Sequence, residues 1–184
     1  VEYLHSINLA GTALLRLIND ILDLSKIEAG EVRIVAEKID FTALCGEINA
    51  IFTQKVMEKK LYFKLEVPSG LPFLWLDGQR MRQVFLNLLD NAAKHGGSGK
   101  RIDTAIRREG SEAVITIRDY GPGVPEEELP FIKNKFYKGT SKARGSGIGL
   151  AVCEEIVTRH EGVLDIGNAQ GGGCAVTIRL PIEA

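Results

Sequence analysis

Two asparagines lie beside the apolar face of a helical pattern between Phe85 and His95. Asn87 and Asn91 are four residues apart, which is about one helical turn, so both amides share a helix face with Cβ atoms roughly 5–6 Å apart. A polar pair beside an apolar face is costly unless it has partners. Lys94 lies near the same edge and could contact phosphate. Alone, these residues would also fit a solvated face.

A short glycine-containing segment, Asp119-Tyr120-Gly121-Pro122-Gly123, follows directly on an apolar strand pattern. An aspartate at a strand end can accept a hydrogen bond from an exocyclic amine such as that of adenine. The two glycines would let a ligand approach the backbone closely. An ordinary Asp-Gly turn would explain the same residues, so this segment is not decisive by itself.

A second glycine-rich segment, Gly145 to Leu150, opens a further helix pattern. Backbone N–H groups at the positive end of a helix form a natural anion site. The chain between Phe131 and Cys153 contains no acidic residue but five basic ones. A solvated loop is one explanation, but glycine and charge of one sign beside a helix start favour a mobile lid over phosphates. The basic residues are Lys133, Lys135, Lys138, Lys142 and Arg144.

Two familiar phosphate-binding motifs are absent. Gly99-Lys100 resembles the end of a P-loop, but Lys94 and Arg101 occupy the positions of its first glycine and its serine or threonine. The segment from Gly145 spaces its glycines as GxGxG and lacks the third glycine of the dinucleotide fold. Phosphate binding therefore requires a different architecture.

The element that begins the chain is an amphipathic helix predicted over residues 4–27, followed by a helix exit and hinge at Gly30. Its apolar stripe is wide enough for packing in a bundle, against a partner chain, a missing helix or both. Packing back on the rest of the chain is the alternative. The stripe consists of Leu4, Ile7, Leu14, Ile18 and Ile21, widened by Leu15 and Leu22.

The rest of the chain predicts strands mixed with three helices, which indicates an α+β sandwich with helices on one face of a single sheet. The predicted strands are 32–39, 61–67, 102–107, 113–118, 163–166 and 175–180. The predicted helices are 41–59, capped by Asp40, 78–94 and 148–159. The core face of the first of these helices is Leu44, Ile48, Ile51, Phe52 and Val56; that of the second is Met81, Val84, Phe85, Leu88 and Leu89.

Composition limits the function classes. The 184 residues are 45% apolar, enough for a packed core, and the formal net charge of -1 does not favour nucleic acid or an anionic membrane as a partner. The three cysteines are far apart and suit reduced, buried thiols in a cytoplasmic protein. We find no apolar run of membrane-spanning length. Because the chain opens inside a helical pattern, we expect a piece of a longer protein, either cytoplasmic or the cytoplasmic part of a membrane-anchored sensor.

In this order the segments resemble the catalytic domain of sensor histidine kinases, within the wider ATPase family of gyrase, the large heat-shock chaperones and MutL. The resemblance implies a Bergerat-type fold in residues 31–184, a two-layer sandwich of a mixed sheet with three helices on one face. Residues 1–30 are similar to the second dimerisation helix and its linker. The matching segments are the N box, Asn87–His95; the first glycine box, Asp119–Gly123; the F box, Phe131–Lys138; the second glycine box, Gly145–Leu150; and Gly171–Gly173 before the last strand.

The resemblance also implies residue roles around Mg²⁺ and ATP. Asn91 would hold Mg²⁺, Asp119 would bind the adenine amino group, and Asn87, Lys94 and Lys138 would be the catalytic residues beside the phosphates. Lys138 stands where the family usually has arginine, which binds phosphate with a bidentate fork that lysine lacks. The other ATP-binding residues would be His95, Gly121, Gly123, Val124, Phe136, Tyr137, Gly145, Ser146, Gly147, Ile148, Gly149, Leu150 and Thr177.

The family's phosphate-accepting histidine is missing. That histidine precedes an acidic residue and an Arg-Thr-Pro turn, and none of His5, His95 and His160 has this context. We therefore expect a two-component kinase core that presents Mg-ATP to a histidine outside this chain, with a response-regulator receiver as a further partner and homodimerisation through residues 4–27. A nucleotide-responsive binding module without transfer, and a relative that phosphorylates serine on an anti-sigma partner, are the alternatives.

Overall fold

The computed structural model describes residues 2–31, 33–139 and 146–182. In this part of the chain it contains four α-helices, seven strands and one short 3-10 helix. The elements in order are α1 (Glu2–Glu28), β1 (Glu37–Ile39), α2 (Phe41–Met57), β2 (Tyr62–Glu66), β3 (Leu74–Leu76), α3 (Gly78–His95), the 3-10 helix (Gly97–Gly99), β4 (Arg101–Glu109), β5 (Glu112–Asp119), α4 (Gly149–Arg159), β6 (Val163–Asn168) and β7 (Cys174–Pro181).

Five strands form one mixed sheet in the order β2-β4-β5-β7-β6. Strand β2 pairs with β4 in parallel, and the other pairs are antiparallel. Alternation along β5 directs Ala113, Ile115 and Ile117 into the core. Helices α2, α3 and α4 pack on this face, which confirms the predicted α+β sandwich with a long helix before it.

The helices begin and pack as their sequences indicate. The Asp40 carboxylate accepts a hydrogen bond from Ala43 N at 3.1 Å, and Asp77 accepts one from Arg80 N at 3.0 Å, so each caps a helix start. Phe52, completely buried in α2, packs against a strand residue, Phe63, edge to face, with ring centroids 4.9 Å apart. Burying such a side chain stabilises the fold by about 1.5–3 kcal/mol.

Two local predictions were wrong. Only Glu37–Ile39 of the strand predicted over 32–39 forms; residues 33–36 are not strand, and position 32 lies outside the described residues. This short strand pairs with Leu74–Leu76, a strand that the sequence analysis missed because three residues are too few to show a period. Ile51 was predicted to face the core but is 47% exposed, since α2 packs along the i, i+4 row that passes through Ile48 and Phe52.

Helix α1 contacts the sandwich through its C-terminal part. Leu24 is buried, and Asp23 accepts hydrogen bonds from Arg80 Nη1 at 3.3 Å and Gln83 Nε2 at 2.6 Å, both on α3. The helix ends near Gly30, which has the positive φ of 69° expected at a helix exit. In the part of the chain that the structure describes, no helix combines the length and apolarity that crossing a membrane requires. Every residue of the predicted α1 stripe is exposed, namely Leu4, Ile7, Leu14, Leu15, Ile18, Ile21 and Leu22.

Candidate functional site

Helix α3 contributes one wall of a cavity of about 570 Å³. Asn87, Asn91 and Lys94 all line this cavity, the two asparagines being half-buried and the lysine exposed. The opposite side of α3 carries the buried residues that pack on the sheet, so core packing fixes which face the asparagines present. The volume lies within the range of small-molecule sites.

A buried carboxylate, that of Asp119, lines the same cavity at the end of β5. Its Oδ1 accepts hydrogen bonds from Gly121 N at 2.9 Å and Cys174 N at 3.3 Å. Neither bond uses Oδ2. Two neighbouring backbones thereby hold an acceptor at the cavity wall, as recognition of an amine requires.

Glycine is required where the backbones around Asp119 meet. A Cβ on Gly96, just after α3, would lie 2.2 Å from the Asp119 Cβ, and one on Gly121 would lie 2.5 Å from the Gly96 Cα. The two segments therefore pack closer than any side chain permits. This approach brings the end of α3 and the end of β5 together at one edge of the cavity.

The loop after the first glycine segment is fastened to strand β6 by a reciprocal pair of hydrogen bonds. Val124 N donates to Asn168 Oδ1 at 2.8 Å, and Asn168 Nδ2 donates to Val124 O at 2.7 Å. Gly123 has a φ of 78°, and a Cβ there would lie 2.6 Å from Asn168 Oδ1. Gly123 and Val124 line the cavity as a result.

Apolar side chains line the cavity around the Asp119 carboxylate. They come from α3 and from three neighbouring strands, so the space between helix and sheet is an apolar slot with an acceptor in its wall. Such a combination suits a flat heteroaromatic ring that carries an amino group. The residues are Leu88, Ala92, Ile117, Ile166 and Val176.

The second glycine segment contributes another part of the wall, at the start of α4. Gly147 has a φ of 74°, and its carbonyl accepts a hydrogen bond from Phe136 N at 2.8 Å. A Cβ at Gly147 would lie 2.8 Å from the Tyr137 carbonyl oxygen. This contact joins the F-box segment to the helix start. The lining residues from the two segments, with the glycine that follows the F box, are Ile132, Tyr137, Lys138, Gly139, Ser146, Gly147, Gly149 and Leu150.

The predicted basic cluster is only partly at the cavity. Lys133 Nζ forms an ion pair with Glu154 at 2.6 Å and donates to Leu164 O at 3.2 Å, and this lysine does not line the cavity. Lys142 and Arg144 lie outside the described residues. Of the three basic residues of this cluster that the structure describes, Lys138 is the one that lines the cavity.

Helix α1 also reaches the cavity, which sequence reasoning missed. Asp20 lines it and accepts a hydrogen bond from Ser146 Oγ at 2.6 Å. A negative charge from the first helix therefore sits beside the second glycine segment. An acidic residue on a helix assigned to dimerisation gave no signal in the sequence of reaching this site.

Some of the predicted site residues lie away from the cavity lining. Ile148 is fully buried in the core, Thr177 pairs with Thr116 inside the sheet, and Phe136 is 61% exposed. Gly121 does not line the cavity but donates its N–H to Asp119 Oδ1. Gly145 lies outside the described residues. Lining residues that were not predicted include Asp20, Pro122, Pro125, Glu128, Ile132 and Cys174, besides the apolar wall. Glu128 follows two other glutamates, so its type alone could not distinguish it.

The His95 imidazole and two cysteine thiols at or near the cavity have shifted pKa values. Desolvation lowers the pKa of the His95 imidazole, the Lys94 charge lowers it further, and Asp119 opposes both effects. Burial raises the pKa of the Cys153 and Cys174 thiols to about 12, although a hydrogen bond with Asn87 partly offsets the shift at Cys153. Both thiols are therefore protonated at neutral pH, which does not suit a nucleophile. Cys174 is half-buried, not fully buried as predicted.

The cavity in this α+β sandwich is lined by an asparagine pair, a buried carboxylate and two glycine segments. This combination defines a nucleotide-binding catalytic domain. The family described as "Histidine kinase-, DNA gyrase B-, and HSP90-like ATPase" matches residues 76–184, and the chain belongs to this family. Within it, the chain contains the ATP-binding catalytic domain of a sensor histidine kinase.

Curated relatives support this assignment over most of the chain. The chain is 35% identical to the adaptive-response sensory kinase SasA of Microcystis aeruginosa, over 91% of this chain and 44% of the relative. It is 33% identical to the sensor protein kinase WalK of Staphylococcus haemolyticus, over 92% of this chain and 29% of that kinase. The circadian input-output histidine kinase CikA of Synechococcus elongatus is 32% identical, over 98% of this chain and 25% of that kinase. The chain thus spans less than half the length of these relatives.

Solved structures share the fold. Full-length ShkA in complex with AMPPNP superposes with a TM-score of 0.87 at 24% identity, covering 100% of this chain and 39% of that one. The Acinetobacter baumannii histidine kinase AdeS has a TM-score of 0.80 at 25% identity, covering 98% and 84%. Both similarities include the first helix as well as the sandwich, since nearly the whole chain is covered.

Proposed function

We propose that this chain is the kinase core of a two-component sensor, which presents Mg-ATP for phosphoryl transfer to a histidine on another polypeptide segment. The observation that carries the proposal is that Asn87, Asn91 and Lys94 on α3 line one cavity with Asp119, which lies at the end of β5 and is distant from them in sequence. Phosphoryl transfer depends mainly on positioning and charge neutralisation, which such a set can supply.

The proposed nucleotide lies with adenine in the apolar slot and phosphates towards the start of α4. The adenine amino group donates to Asp119, whose two backbone donors leave acceptor capacity. The phosphates meet Lys94 and Lys138, and the glycines of the second segment allow close backbone approach. Asn87 lies beside the phosphates.

Mg²⁺ fits the residues of this wall. Asn91 is half-buried and lines the cavity one helical turn from Asn87 and close in sequence to Lys94. An amide oxygen is a suitable hard ligand for an ion that keeps several waters and is otherwise bound by phosphates. When bound, Mg²⁺ would neutralise phosphate charge, while Asn91 would orient it.

Residues 1–30 serve in this proposal as the second helix of the dimerisation and phosphotransfer region and its linker. The exposed apolar stripe of α1 supports a homodimer or a bundle with the missing acceptor helix. A receiver domain is the further partner; one similar structure is histidine kinase ThkA in complex with response regulator protein TrrA. We place the protein in the cytoplasm, on its own or as part of a membrane-anchored sensor, because its cysteines suit a reducing compartment.

The test is transfer of labelled phosphate from γ-labelled ATP with Mg²⁺ to a separate polypeptide that carries the acceptor helix, with its histidine, acidic residue and Arg-Thr-Pro turn. We expect acid-labile phosphate on that helix, and none when its histidine is replaced by glutamine. The Asn91→Ala variant should lose transfer. Asn49→Ala, on exposed α2 surface away from the cavity, is the matched control and should retain it.

The second candidate function is a nucleotide-responsive binding module, which the Ser146–Asp20 hydrogen bond favours because it joins helix α1 to the nucleotide cavity. Intact ATP binding without transfer to any acceptor would support the module and contradict the kinase. Acid-stable phosphate on a serine of a partner would instead indicate the serine-phosphorylating relative.

A further inference from the structure

A cluster of polar and aromatic side chains lies on the face of the sheet opposite the helices. The Tyr120 hydroxyl donates to Asp103 Oδ2 at 2.7 Å. The guanidinium of Arg118 lies 4.5 Å from the centroid of the Tyr120 ring, and that of Arg101 lies 5.1 Å from it. Arg101 Nε also donates to Asp103 Oδ1 at 2.9 Å. One tyrosine is thus held by a hydrogen bond and two cations.

Tyr120 is the residue that follows Asp119. Consecutive side chains at the end of a strand point to opposite faces of a sheet, so the tyrosine lies on the outer face and the aspartate in the cavity. The two share one peptide unit. An interaction that fixes the Tyr120 ring therefore restricts the backbone from which the Asp119 side chain extends on the other side.

Arg118 connects the cluster to the second backbone donor of Asp119. Its Nη2 donates to Gln170 O at 2.9 Å and to Gly172 O at 3.1 Å, in the turn before β7. The same turn leads into Cys174, whose N–H reaches Asp119 Oδ1. Arg118 thus braces both the tyrosine and the turn that leads to that donor.

The ionisation states agree with this arrangement. The hydrogen bond to Asp103 raises the pKa of Tyr120, with burial and the Asp103 charge adding to the shift. Partial burial would raise the pKa of Asp103, but hydrogen bonds from Arg101 and Tyr120 outweigh it and lower that pKa. At neutral pH the hydroxyl therefore donates and the carboxylate accepts.

We propose that Tyr120, with Arg118 and Asp103, is a positioning residue for adenine recognition: the cluster holds Asp119 from the outer face of the sheet. The inference rests on the proposed contact between Asp119 and the adenine amino group. It adds a set of residues that never touch the nucleotide but determine how well the protein distinguishes an amino group from a carbonyl oxygen.

Calorimetric titration with ATP and with inosine triphosphate, which has a carbonyl in place of the amino group, tests the proposal. We expect Tyr120→Leu to weaken ATP binding about tenfold and inosine triphosphate binding about twofold or less, because the lost contact is the one to the amino group. Tyr120→Phe keeps the ring and loses the hydrogen bond, so its ATP affinity should fall about threefold.

The matched control is Tyr62→Leu. Tyr62 lies on the same outer face and contacts Arg101, with 5.7 Å from the guanidinium to the ring centroid, but it is not adjacent to Asp119. The ratio of its affinity for ATP to its affinity for inosine triphosphate should equal that of the unchanged chain. Thermal denaturation of each variant reports whether it folds. If Tyr120→Leu does not fold, Tyr120→Phe still tests the proposal.

The outcomes separate this inference from the proposed function. Unchanged discrimination in Tyr120→Leu and Tyr120→Phe, with only a lower melting temperature, would mean that the cluster merely stabilises the sheet and would overturn the inference. No preference for ATP in the unchanged chain, together with no effect of Asp119→Asn, would instead remove the proposed adenine contact itself.

Discussion

A methyl group added at Gly96 should displace the Asp119 carboxylate, the group that we propose binds adenine. The added Cβ would lie 2.2 Å from the Asp119 Cβ and 2.6 Å from its Oδ1, whereas ordinary contacts begin at 3.4 Å. The end of α3 and the end of β5 must therefore separate by about 1 Å. The neighbouring Gly97 meets nothing within 4 Å, so Gly97→Ala adds the same methyl group without the displacement.

The size of the effect follows from the contact that is lost. A hydrogen bond to a charged group contributes about 1.5–3 kcal/mol, which corresponds to roughly 10- to 100-fold in affinity. We expect Gly96→Ala to weaken ATP binding within this range. Overpacking should also lower the free energy of unfolding by about 1–3 kcal/mol. Gly97→Ala should change ATP affinity by less than about twofold, because its methyl group displaces nothing.

Calorimetric titration of ATP into each variant, with urea denaturation to confirm folding, makes the measurement. Affinity of a folded Gly96→Ala variant equal to that of the unchanged chain would refute the reasoning, since it would mean that Asp119 can move by 1 Å at no cost to the ligand. An equal loss in Gly96→Ala and Gly97→Ala would refute it too, because the close contact would then not be the cause.

Three further predictions concern charge, pH and packing. Replacing Asp20 by asparagine should strengthen ATP binding about two- to fivefold at low salt and leave adenosine binding unchanged, because a negative charge leaves the phosphate side of the cavity; equal changes for both ligands would contradict this. As pH falls from 7 to 5, the free energy of unfolding in urea should decrease more for the unchanged chain than for His95→Gln. The reason is that the pKa of His95 is lowered in the folded state, so the unfolded state takes up the proton first. An equal decrease in both proteins would contradict this. Phe52→Ala should lower the free energy of unfolding by about 3–5 kcal/mol, and the neighbouring Ile51→Ala by less than about 1 kcal/mol, since only Phe52 is buried; similar losses would contradict the packing.

The parts of the site that could be predicted from sequence are those set by local periodicity. The spacing of Asn87 and Asn91 on a helix with an apolar opposite face fixes the direction of both amides, whatever the rest of the fold. Asp119 at the end of a buried strand and the glycines after it likewise express a local pattern. Family resemblance supplied what spacing could not, namely that these segments meet around one cavity.

The features that were missed depend on contacts between distant segments. Asp20 reaches the cavity only because α1 lies against the sandwich, and no periodicity reports that docking. Strand β3 is too short to show alternation and is stabilised by its pairing with β1. The bond between Tyr120 and Asp103 depends on the register of β4 and β5, which places Asp103 opposite Arg118. Register follows from the whole sheet rather than from one strand.

Titration of ATP into the unchanged chain, with and without Mg²⁺, and into Asp119→Ala, Asn91→Ala and Asn49→Ala tests the central claim most directly. The account predicts that the unchanged chain and Asn49→Ala bind ATP with Mg²⁺ dependence, that Asp119→Ala loses binding, and that Asn91→Ala loses the Mg²⁺ dependence. Absence of ATP binding by the folded, unchanged chain, or equal binding by all four proteins, would contradict the assignment of this cavity as the ATP site.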